Sequence, residues 1–278
     1  MKCGSRTGEW GGIGAGAGAA HRYKRAMHAY LLRLVPAVVV ALAVCAAPAA
    51  ARPIVPAHAS AHASAHASAH ASARAPADVP AHVAAEPDPV VFVHGWNGDG
   101  STWNTFVDRF LADGRPADRL YRWTYPTSQS NATTASQLAA TVDRVLTATG
   151  AAEVDLVTHS MGALPSRYYL KNLGGDAKVD AWVSLAGPNH GTDTARLCGQ
   201  ASCVEMRPGS AFLTALNAGD ETPGPTRYAT WRSPCDLVVS PDSTVALAGA
   251  MNTRIPCLQH SAFLTDPGVY AQVRDHIG

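Results

Sequence analysis

Short, mainly apolar runs alternate along this chain with stretches of helical spacing, and that alternation limits what it can fold into. Val90 to His94 reads VVFVH, Val154 to Thr158 reads VDLVT, and Val179 to Leu185 reads VDAWVSL. Runs this short and this apolar suit strands buried on both faces, as in a parallel sheet covered by helices on each side. Leu120 to Tyr125, Thr226 to Trp231 and Thr253 to Cys257 read as three more strands. Between them, Ser101 can cap a helix through Trp103, Phe106, Val107 and Phe110 to Gly114. Asn131 to Thr149 spaces Leu138, Val142, Val145 and Leu146 helically before Gly150 stops it. Further helices are expected after Thr158 up to Leu173, around Val245 to Ala250, and over residues 268–277. Strict alternation predicts an α/β fold with a mainly parallel six-stranded sheet, right-handed crossovers and helices on both faces. Function in such sheets collects beyond the carboxyl ends of the strands.

This pattern begins only at residue 88. Residues 88–278 carry 14 Lys and Arg against 18 Asp and Glu, a net charge of −4. That balance argues against a surface built for nucleic acid. The length suits one hydrophobic core rather than two. Ahead of it, a basic stretch (Arg22, Lys24, Arg25, Arg33) precedes an apolar run and a P-A-A-A close near Ala51. This order is that of a secretory signal peptide, and the run is short for a membrane span, which needs about 20 residues. Met27 is an alternative start that gives the segment ordinary signal-peptide proportions. Residues 52–87 then read as a low-complexity linker in which AHAS repeats four times, placing His58, His62, His66 and His70 at four-residue spacing. On a helix these would share a face and could hold a metal loosely; a solvated linker without a core is the simpler reading.

The segment Asp155-Leu-Val-Thr-His-Ser160-Met161-Gly162-Ala163 carries the chemistry. A strand that passes straight into a helix through a tight turn pushes the apical serine hydroxyl clear of the sheet. Small residues are needed two positions either side. Gly162 meets this requirement, whereas Thr158 stands where glycine is usual. The turn Val93-His94-Gly95-Trp96-Asn97-Gly98 follows the first strand directly.

Together these segments resemble the secreted bacterial triacylglycerol lipases of the α/β-hydrolase superfamily, across about residues 88–278. The resemblance implies a nucleophile at Ser160 and an oxyanion hole built from the backbone N–H groups of Trp96 and Met161. In this fold the chain order runs serine, acid, histidine. Asp236 follows the penultimate strand and suits the acid, with Asp242 as the alternative. His260 follows the last strand and suits the base, with His190 and His276 as competitors. His94 and His159 are expected to shape their turns rather than to titrate in catalysis.

Of six cysteines, four lie in this domain, and in a secreted protein they suggest two disulfides, for which three connectivities exist. Cys235–Cys257 would staple the acid loop to the histidine loop, leaving Cys198–Cys203 to close a small loop. Neither metal nor organic cofactor is called for, since the cysteine spacings fit no zinc site and the segment between about Asn189 and Thr226 holds no clear carboxylate cluster for calcium. Phe212, Leu213 and Leu216 have helical spacing and suit either a short lid or a surface helix with a core-facing side.

The expected function is therefore a secreted, monomeric serine carboxylester hydrolase acting on lipid or other acyl esters, with a transient lipid interface left open. An amidase, a short-chain esterase or an acyltransferase on the same fold is the nearest alternative. A non-catalytic binding protein would have no reason to keep this constellation together.

Overall fold

The computed structural model describes residues 86–278. The signal-peptide region, the start at Met27 and the AHAS repeat lie outside the described residues. Six strands form one sheet: β1 (Val90–Val93), β2 (Leu120–Trp123), β3 (Val154–His159), β4 (Val179–Leu185), β5 (Arg227–Arg232) and β6 (Met251–Arg254). Their order is β2-β1-β3-β4-β5-β6, and every neighbouring pair is parallel.

Strand periodicity divides the apolar residues between two cores. Val91, Val93, Leu156 and Trp182 face helices α2 (Asn131–Thr149) and α3 (Ala163–Asn172), which contribute Leu138, Val142, Leu164 and Leu170. Val90, Phe92, Val157, Val183 and Trp231 face α1 (Asn104–Ala112) and the terminal α6 (Pro267–Ile277), which contribute Phe106, Phe110, Val269 and Val273. Each fully buried Phe, Leu or Val in these layers contributes about 1.5–3 kcal/mol. Covering both faces leaves the strand ends as the places where loops gather.

Several boundaries differ from the sequence expectation, each for a local reason. Asp99, not Ser101, caps the first helical turn, accepting from the Ser101 N–H at 2.7 Å. Strand β2 stops at Trp123, because the Tyr125 N–H turns away to His94 Nε2 and Pro126 has no N–H to offer. The helix expected over Val245 to Ala250 is only a 3-10 turn, Asp242–Val245. There the Asn252 side chain takes the N–H of Leu247 and the carbonyls of Leu247 and Ala250, replacing helical bonds. Strand β6 lies two residues earlier than expected at its start, and its last ladder neighbour is Ile255, since Pro256 cannot continue it.

The segment between β4 and β5 carries two short helices, α4 (Ala201–Glu205) and α5 (Ala211–Leu216). Leu213 and Leu216 are buried in the α2/α3 core, and Phe212 stacks on Tyr168. Lys171 Nζ donates to the carbonyls of Leu216, Ala218 and Asp220, and the buried Arg167 reaches Asn217 Oδ1 at 2.8 Å. Lys171 thereby satisfies the Leu216 carbonyl that the end of α5 leaves open. Of the two readings left open for this segment, α5 is the surface helix with a core-facing side.

Candidate active site

Strand β3 enters a 3-10 turn, Ser160–Gly162, and then α3 without an intervening loop. Ser160 has φ 54°, a left-handed backbone that costs a non-glycine residue about 1–3 kcal/mol and marks a position held by its surroundings. A Cβ at Gly162 would stand 2.6 Å from the carbonyl oxygens of Val93 and His94, so β1 passes the elbow at a distance only glycine allows. Thr158 fits where glycine is usual because its hydroxyl donates into the sheet, to Val183 O at 2.8 Å. Its side chain is thereby turned to β4.

The HG turn sits directly against the serine. A Cβ on Gly95 would lie 2.8 Å from Ser160 Cβ and 3.3 Å from its Oγ. The turn Gly95–Gly98 closes through Gly98 N–H to Gly95 O at 3.2 Å, with Asn97 at φ 58°. His94 anchors it from below. Its ring stacks on Tyr125 with centroids 4.2 Å apart, and the Tyr125 hydroxyl donates to His94 O at 2.5 Å. Because Nε2 accepts from the Tyr125 N–H, the ring proton belongs on Nδ1, which lies 2.9 Å from Gly95 O. Burial pushes His94 below its ordinary pKa, so it stays neutral in this role.

Asp236 and His260 meet beyond the ends of β5 and β6. His260 Nδ1 donates to Asp236 Oδ2 at 2.8 Å. Asp236 is 4% exposed, and its Oδ1 accepts the N–H groups of Val238 (2.8 Å) and Val239 (3.0 Å). That carboxylate is oriented from both sides. The Cys235–Cys257 disulfide, with Cα atoms 5.0 Å apart, joins the two loops. Ser233 Oγ reinforces the junction by accepting from the N–H groups of Cys235 and Leu258.

His159 connects this pair to the elbow. It immediately precedes Ser160, its Nε2 donates to His260 O at 3.0 Å, and the two imidazoles lie 4.7 Å apart. Burial pushes the His159 pKa down to about 3, so the ring beside His260 is neutral. The competitors are placed elsewhere. Asp242 sits between Arg232 (3.1 Å) and Arg254 (3.2 Å), while His190 pairs with Glu221 at 2.7 Å. His276 lies at the end of α6 against Arg227 O.

A second disulfide, Cys198–Cys203, closes a short loop in the β4–β5 connection. Sequence reasoning missed what this loop touches: Gln200 Oε1 accepts from the Trp96 indole N–H at 2.8 Å. It also missed Ser233 and Tyr125, whose partners are distant in the chain and leave no local signal. Among the described residues, no group of three His, Cys, Asp or Glu side chains is arranged to hold a metal ion.

A parallel six-stranded sheet with a serine at a strained strand–helix elbow and a His–carboxylate pair at the neighbouring strand ends defines the α/β-hydrolase fold. The chain belongs to the class 2 lipase family, whose family model, "Lipase (class 2)", matches residues 87–275, and it is accordingly a carboxylic ester hydrolase of the lipase/esterase type. Among solved structures it is similar to a Bacillus licheniformis lipase in its mature form, at 17% identity and a TM-score of 0.61, over 69% of this chain and 93% of that one. It is also similar to Aspergillus fumigatus lipase B, at 19% identity and a TM-score of 0.60, over 68% of this chain and 52% of the fungal one. At such identities these likenesses bear on the fold.

Proposed function

We propose that this chain is a secreted serine hydrolase that cleaves triacylglycerol or related acyl esters through an acyl-enzyme on Ser160. The observation that carries the reading is the Asp236–His260 hydrogen bond of 2.8 Å, tied to the elbow by His159, the residue before a strained, positive-φ Ser160. With Nδ1–H given to Asp236, His260 has its Nε2 free to take a proton. Ser160 Oγ forms a bond to the ester carbonyl carbon as its proton passes to His260. The alcohol then leaves with that proton, and the acyl group remains on Ser160. Water then attacks the acyl carbon as His260 takes its proton; the bond to Ser160 Oγ breaks, His260 returns the proton to Oγ, and the carboxylic acid leaves.

Negative charge develops on the carbonyl oxygen during both attacks. Met161 stands in the first turn after Ser160, where helix N–H groups have no intrahelical partner. The Trp96 N–H belongs to the turn whose first residue, Gly95, packs on Ser160. Two such donors would stabilise the oxyanion, each by a factor of about 10²–10³ in rate. Two disulfides suit an oxidising compartment outside the cell, which supports secretion.

Hydrolysis of p-nitrophenyl butyrate and p-nitrophenyl palmitate, compared with the Ser160→Ala variant, tests this reading. Activity on either ester that disappears in the variant supports it, and the ratio of the two esters sets the acyl length preferred. A folded, disulfide-intact protein inactive on both would overturn the reading in favour of a narrow acyltransferase or a binding role.

A further inference from the structure

The turn that carries Trp96 is exposed, so its position depends on what tethers it. Trp96 is 37% exposed, Asn97 is exposed and adopts φ 58°, and the closing bond of the turn is 3.2 Å long. From below, His94 and the packing of Gly95 against Ser160 hold its first residues. Two further tethers reach the turn from outside. Thr127, in the loop after β2, accepts the Asn97 N–H through its Oγ1 at 3.2 Å. Gln200 accepts the Trp96 indole N–H at 2.8 Å, across 104 residues of sequence.

Gln200 is itself held in place. It lies between Cys198 and Cys203, which the disulfide brings to a Cα separation of 5.9 Å. Arg207 Nη2 donates to Cys198 O at 2.8 Å. Ser202 Oγ donates to Thr127 O at 2.6 Å, so the disulfide loop and the Trp96 turn share Thr127 as a common post. Beyond it, Glu205 Oε2 accepts both the N–H and the side-chain amide of Asn131 at the start of α2. At its other end the same segment grips the acid loop, for Thr192 and Thr194 hydroxyls each donate to Val238 O at 2.7 Å. One segment, 192–205, is therefore bonded both to the loop that carries Asp236 and to the turn that carries Trp96.

We infer that Gln200, presented by the Cys198–Cys203 disulfide, is a positioning residue that holds the Trp96 turn so that its backbone N–H meets the substrate oxyanion. This rests on the reading of Trp96 as an oxyanion donor given above. A short exposed turn without its outer tether samples several arrangements. A donor displaced by about 1 Å forfeits about 10²-fold in rate. An oxyanion contact strengthens as charge develops, so the loss falls on kcat rather than on KM.

The test compares the full-length protein with Gln200→Leu, which keeps the shape and removes the acceptor, and Gln200→Glu, which keeps an acceptor oxygen. Gln200 is exposed, so both variants are expected to fold. Gln200→Leu is expected to lower kcat for p-nitrophenyl butyrate about 10- to 100-fold with KM nearly unchanged. Gln200→Glu should restore most of that loss. Trp96→Phe, which removes the indole donor, should lower kcat similarly, and adding Gln200→Leu to it should cost little more. Exchange of the Trp96 indole N–H, followed by NMR, reports the tether whether or not the ester turns over, and it should quicken in Gln200→Leu. Unchanged exchange, or unchanged kcat beside an inactive Ser160→Ala control, overturns the positioning role alone. Wild-type protein with no esterase activity overturns the serine-hydrolase reading and this one with it.

Discussion

Cys235 and Cys257 are bonded to each other at the base of the acid–base pair, one adjoining Asp236 and the other three residues before His260. The bond closes a loop with a sequence separation of 22 that contains the 3-10 turn and strand β6. Its geometry serves the pair because β6 is an exposed edge strand of four residues with little packing of its own.

Replacing both cysteines by alanine should lower unfolding stability by about 3 kcal/mol, the chain-entropy value for a loop of this length. Urea unfolding with and without the bond measures it. A loss below about 1 kcal/mol would show that Ser233 and the surrounding packing already hold the two loops together. The same variant should lose activity before it loses global structure, since Asp236 and His260 belong to different loops.

Asp236→Asn should reduce kcat about 10⁴-fold while leaving the fold intact. The asparagine keeps an Oδ1 to accept from Val238 and Val239, so the loop stays formed. Its amide, however, now faces His260 Nδ1 with a donor and favours the wrong tautomer. Ser160→Ala and His260→Ala should each cost about 10⁶-fold, and combining them should add little, because the residues act as a unit. Additive losses in the double variant would contradict a shared mechanism.

Gly95→Ala tests the contact between the HG turn and the serine. The added methyl would stand 2.8 Å from Ser160 Cβ, inside any real contact distance, so one of the two must move. A drop of about 10²-fold in kcat/KM is expected, with the far-ultraviolet circular dichroism unchanged. Gly162→Ala meets two backbone carbonyls at 2.6 Å and should fail to fold rather than merely slow down.

The neutral, buried His159 gives the protein an acid limit. Its folded pKa of about 3 lies below the unfolded value of 6.5, so the unfolded chain binds the extra proton. The stability tied to its neutral form is fully present above pH 6.5 and is lost progressively as pH falls toward 3. His159→Gln removes the titration while keeping a side-chain N–H for His260 O. Urea unfolding at pH 7 and pH 4.5 should show a smaller drop in this variant than in wild type. Equal drops would mean that His159 is not what limits acid stability.

Much of the sheet was legible in the sequence because its strands are buried on both faces. Val90–Val93 is apolar throughout and Val179–Leu185 mostly so, with Asp180 only half-buried, and α2 ends at Gly150 because only a left-handed residue closes it there, at φ 68°. Weaker elements were misjudged where a distant or polar side chain intervened. Asn252 dissolved the helix expected over Val245 to Ala250, and periodicity cannot register an amide that competes for backbone bonds.

The sequence by itself determined the fold class and the place of the serine, because a strand, a tight turn and a helix in succession are local and are written in consecutive residues. It named Asp236 and Asp242, and His260, His190 and His276, as groups among which choices were open. Tertiary structure places these groups differently. Asp242 is enclosed by Arg232 and Arg254, His190 is taken by Glu221, and only Asp236 and His260 stand within a hydrogen bond of each other. The same holds for Gln200 and Trp96, 104 residues apart. Charge and hydrogen-bond partners act over a few ångströms of space, so which side chains meet depends on how the sheet brings its strand ends together and not on their order along the chain.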